Sequence, residues 1–146
     1  MTDTSLQAVA VAASGPAATT FQRSIACSMP VEEVVSRLKH RIEAAGLWVL
    51  HEINPQMLLH RGGYAIGPAR QILFFHPRLM SRLLAADSAA LLEAPLKFAV
   101  VGFPGGSTEL RWLDPRTSFG RYRSQELTEL GSELASLCEE IAAIES

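Results

Sequence analysis

The sequence predicts a single α+β domain, with helices packed on a mixed, mostly antiparallel sheet in the order β-α-β-α-β-α-β-β-α. Two local periodicities and one turn carry that prediction. "TFQRSIAC" and "LWVLHEI" alternate as half-buried strands do, whereas residues 31–45 and 127–144 place apolar side chains every three to four positions. Pro104-Gly105-Gly106 separates two further strand-like runs and reads as the turn of a hairpin. The chain has 146 residues, 48% of them apolar and 19% charged, enough to bury one sizeable core.

The elements follow in order. Phe21, Ile25 and Cys27 lie on one side of the first strand. Pro30 suits the first turn of a helix, with Glu32 and Glu33 near its positive end. Val31, Val34, Val35, Leu38 and Ile42 form its stripe, and Gly46 suits a left-handed cap. In the second strand, residues 47–53, Leu47, Val49, His51 and Ile53 are expected on one face. Asn54-Pro55 then opens a short helix that Gly62-Gly63 stops. "RQILFF" is a third strand, apolar on both faces, which places it centrally or beneath a partner chain. Past His76, Leu79, Leu83 and Leu84 belong to a short helix, and "SAALLEA" forms a further turn before Pro95. "LKFAVVGF" and "STELRWL" form the hairpin, and Ser124 caps a long last helix.

Residues 1–18 are alanine-rich and are expected to form a flexible tail, leaving residues 19–146 as the domain. The tail carries Asp3 and no basic residue before Arg23, so it lacks the positive start of a secretory signal. No apolar run reaches membrane-spanning length. The expectation is a cytoplasmic protein that binds neither membrane nor nucleic acid. Its net charge is −2 with both signs interspersed, and "RTSFGRYR" is too small a basic cluster to make a nucleic-acid stripe.

The stretch "GGYAIGPARQILFFHP", followed by "EAPLKFAVV" and "ELRWLDP", resembles the bacterial domain of unknown function 302 family. Gly63, Ile66, Pro68, Ile72 to Phe75, His76-Pro77, Pro95 and Asp114-Pro115 carry the likeness. Two positions depart from the family pattern. A usual Gly-Asn-Pro corner is Phe75-His76-Pro77 here, and a usual Leu-Pro is Ala94-Pro95. The resemblance implies a compact α+β fold, often found as a dimer, and no established activity.

The candidate site residues are His51, His76, Arg78 and Trp112. His76-Pro77 is first a strand-to-helix joint, because proline fits the first helical position and the residue before it acts as cap. Its functional reading is an anion site built by His76, Arg78 and the free N–H groups of the helix start. His51 is a hydrogen-bonded core histidine if its face is covered, and a proton carrier or ligand if that face lines a cleft. Trp112 and Trp48 are candidates to line a groove or interface. The four histidines and two cysteines show no metal-ligand spacing, and no cofactor is indicated. Cys27 and Cys138 read as structural, although a thiol just before a helix can be activated. No nucleophile elbow, P-loop or dinucleotide fingerprint is present.

The reading is therefore a non-catalytic homodimer that binds a small anionic or apolar molecule or a protein partner. The alternative is a small enzyme using a histidine acid/base and Arg78 as its anion contact.

Overall fold

The structure, a computed structural model, describes residues 5–145. Residues 1–4 of the expected tail lie outside the described residues. Within the rest of that segment, β1 (Gln7–Ala8) precedes a single-turn 3₁₀ helix at Pro16–Thr20. The first long strand is β2 (Gln22–Cys27), and α1 (Val31–Ala44) follows. The end of α1 is closed as expected. Gly46 takes φ +80°, its N–H donates to the Glu43 carbonyl, and the Leu47 N–H donates to that of Ile42.

Three later helices begin with one device, a cap residue followed by proline. They are α2 (Pro55–Arg61), α3 (Pro77–Ala86) and α4 (Pro115–Gly120), capped by Asn54, His76 and Asp114. Each cap side chain accepts a backbone N–H of the first turn at 3.0 Å. The segment after Asp114 is thus a helix that the order read from the sequence lacks. Ser124 caps α5 (Gln125–Ala142) by accepting the Leu127 N–H at 3.3 Å.

Between these helices run β3 (Trp48–Ile53), β4 (Tyr64–Ala65), β5 (Ala69–Phe75), β6 (Leu96–Gly102) and β7 (Thr108–Leu113). "SAALLEA" becomes a 3₁₀ helix over Ser88–Glu93. The five long strands form one antiparallel sheet in the order β2-β7-β6-β5-β3, while β1 pairs with β4 in parallel. The α+β architecture expected from the sequence is the one observed.

One face of the sheet carries the core. Ile72, Phe74, Phe98, Val100 and Leu110 are fully buried there, against Val34, Leu38 and Ile42 of α1 and Leu127, Leu130 and Leu134 of α5. Phe74 stacks on Phe98 at 4.8 Å, and Trp112 meets Phe98 edge-on at 5.6 Å. Two arginines of α1 satisfy the carbonyls at the end of α5. Arg37 donates to the Ile144 carbonyl, and Arg41 donates to those of Ile141 and Glu140.

The strand β3 departs from the simple alternation. A register shift between Val49 and His51 sets Val49 opposite Phe74 and His51 opposite Leu73. Val49 therefore packs on the core and His51 points to the other, exposed side, although a regular strand would have placed both together.

Candidate functional site

With every core helix on one side, the opposite face of the sheet is left open. Gln71, Leu73, Lys97, Ala99, Arg111 and Leu113 lie on it, and none of them is buried. The alternation in the hairpin explains why. Phe98 and Val100 turn inward while Lys97 and Ala99 turn outward, and Leu110 and Trp112 are buried while Arg111 and Leu113 are not.

The register assembles these outward residues into a hollow. Ala99, on the central strand, pairs with Gln71 on one side and Arg111 on the other. Lys97, two residues earlier, is diagonal to both, within about 7–8 Å between backbones. A methyl group ringed by three long polar side chains leaves a depression. It forms part of a cavity of about 420 Å³ that runs to the lower edge of the sheet. Leu92, Pro95, Leu96 and Leu113 supply its apolar wall, and Glu93 and Ser118 reach its margin.

The donors bordering the cavity are weakly engaged. The Lys97 side chain has no ion-pair or hydrogen-bond partner among the described residues. Arg111 donates to both oxygens of Glu109 at 3.3 Å and to Gln22 at 3.4 Å, all long contacts. The Trp112 indole N–H is buried without a partner among the described residues. Trp112 borders this cavity and a second hollow of about 400 Å³, which Arg23, Ile25 and Glu139 also line.

The acidic member of the margin is already engaged. Tyr122 donates to one oxygen of Glu93 at 2.5 Å, and Arg121 donates to the other at 3.0 Å. That carboxylate holds the Tyr122 phenol above its ordinary pKa.

The four residues singled out from the sequence do not gather in this place. Trp112 alone borders the cavity. His51 shares the open face with Lys97, with Leu73 between them, but does not line the hollow. His76 caps α3 by accepting the Arg78 N–H on Nδ1, and its ring meets Trp48 edge-on at 5.2 Å. The Arg78 side chain is exposed beside it. Lys97, Arg111, Gln71 and Ala99 were missed by sequence reasoning. Their signal was the polar alternation of two strands whose pairing only the fold supplies.

Neither cysteine is built as a nucleophile. Burial, then the charge of Glu145, raises the Cys27 thiol, and burial pushes Cys138 up to about 12. No group of three potential metal ligands occurs among the described residues. No helix there is long and apolar enough to cross a membrane.

The family is settled by a match over residues 23–143 to the domain of unknown function DUF302. The chain belongs to that family. Its fold is similar to the crystal structure of an uncharacterized conserved DUF302 protein from Bacillus stearothermophilus, with a TM-score of 0.74 at 20% identity. The likeness covers 85% of this chain and 94% of that one. No curated protein matches this DUF302 chain. Family membership gives the fold and no activity.

Proposed function

We propose that this DUF302 protein is a non-catalytic, cytoplasmic binding domain that takes a small molecule on the open face of its sheet. The observation that carries this reading is the cavity over Ala99, with a polar ring on one side and an apolar wall on the other. Ligand sites in small domains have this composition, a mostly apolar concavity with a few placed polar groups.

The domain works as a homodimer in this account. Trp48 and Leu50, on the edge strand β3, are 54% and 47% exposed, and exposed apolar clusters of this kind mark contacts between chains. A catalytic reading has less support. His76 uses its Nδ1 to cap α3 and does not line the cavity, and His51 stands outside it as well.

Native mass spectrometry of the purified protein tests both parts. A species at twice 15.8 kDa that carries an added small-molecule mass supports the proposal. A bare monomer that acquires no ligand from a metabolite extract contradicts it.

A further inference from the structure

We propose that the ligand is an organic anion, with its acidic group set between Lys97 and Arg111 and its apolar body lying along Leu92, Pro95 and Leu96. This inference rests on the binding-domain reading above and goes further in naming the chemistry.

Four charged groups stand at the cavity or directly on its ring: Lys97, Arg111, Glu93 and Glu109. Both oxygens of Glu93 are taken by Tyr122 and Arg121, and Glu109 is committed to Arg111. Among the described residues Lys97 is left as a cation without a counter-charge, on the same face as a guanidinium whose own contacts are long. An incoming anion therefore meets no unpaired carboxylate among the described residues of the cavity. The Gln71 amide adds a donor at the same hollow. A bare inorganic anion would leave the apolar wall unused. Leu92 is 89% exposed and Leu113 is 52% exposed at the cavity, so an apolar body gains by covering them.

A matched pair of fluorescent probes tests this. 1-Anilinonaphthalene-8-sulfonate carries an acidic group on an apolar body, and N-phenyl-1-naphthylamine is the same body without it. The sulfonate should bind one per chain, about tenfold tighter than the neutral probe, a difference of about 1.4 kcal/mol, because charge-assisted hydrogen bonds reach only the sulfonate. Lys97→Met should bring the sulfonate down toward the neutral probe and leave the latter unchanged. Ala99→Trp, which fills the hollow from an exposed face, should remove both; Gln71→Trp serves if that variant does not fold. Thermal unfolding confirms the fold of each variant.

Equal binding of the two probes, with both lost in Ala99→Trp, overturns the anion and leaves the binding cavity standing. Binding that ignores Ala99→Trp and Gln71→Trp overturns the cavity as well. Exclusion of both probes by a dimer overturns the proposal and assigns the face to a second copy of the chain.

Discussion

Arg111 pairs with Ala99 across β6 and β7, and Lys97, two residues before Ala99 on β6, lies diagonal to it on the same face. Two cations this close on an uncovered sheet repel one another unless something negative lies between them. Glu109 partly offsets Arg111, and nothing among the described residues offsets Lys97. An anion bound there, as proposed, would relieve that repulsion.

The joint at His76 has a different consequence. Because its Nδ1 accepts the Arg78 N–H at 3.0 Å, His76→Ala should cost about 1 kcal/mol of stability. His76→Asn should restore it, since asparagine is a good cap. Neither change should alter binding of the sulfonate probe. Thermal unfolding and a probe titration on the two variants check this; loss of binding in His76→Asn at full stability would return His76 to the functional site.

Gly131 of α5 marks the closest approach of α4. A Cβ there would lie 2.8 Å from the Pro115 carbonyl oxygen and 3.0 Å from the Phe119 Cβ. Alanine ordinarily favours a helix over glycine by about 1 kcal/mol, but overpacking costs roughly 1–3 kcal/mol. The clash is with backbone and cannot rotate away, so Gly131→Ala should lower the midpoint of thermal unfolding. An unchanged or raised midpoint would show that α4 moves freely off α5.

The bond between Tyr122 and Glu93 makes stability depend on alkaline pH. The phenol's pKa is raised in the fold, first by its hydrogen bond to the carboxylate. The neutral phenol is the bonded form. Its contribution is whole below the ordinary tyrosine pKa of about 10 and is lost as pH rises through the raised value. Wild type should therefore lose stability above pH 10 more steeply than Tyr122→Phe, as followed by thermal unfolding from pH 8 to 11. Parallel curves would contradict the assignment.

Much of this fold was legible in the sequence because local chemistry dictates it. The Gly46 cap, the Ser124 cap and the Pro104-Gly105-Gly106 turn appear where the residues demand them. Helix α4 was equally readable, since Asp114-Pro115 repeats the device of Asn54-Pro55 and His76-Pro77. The site was not. Which face His51 occupies turns on an irregularity at Leu50, and a single-residue shift exchanges the faces of a strand. The hollow over Ala99 depends on β5 and β7 flanking β6, a matter of tertiary pairing that no single strand encodes.

The two thiols provide a check on the core. Cys27 and Cys138 are buried, and both are raised above the ordinary thiol pKa. At pH 8 the native protein should resist a disulfide reagent, and both thiols should react at once in denaturant. Rapid labelling of the native protein at Cys27 would mean that the β2–α1 corner opens.

The most direct measurement is an amide chemical-shift map of the protein titrated with 1-anilinonaphthalene-8-sulfonate. The account predicts that shifts concentrate at Gln71, Lys97, Ala99 and Arg111, across β5, β6 and β7. Shifts centred instead on Trp48, His76 and Arg78 would place the ligand at the start of α3 and contradict the open-face site.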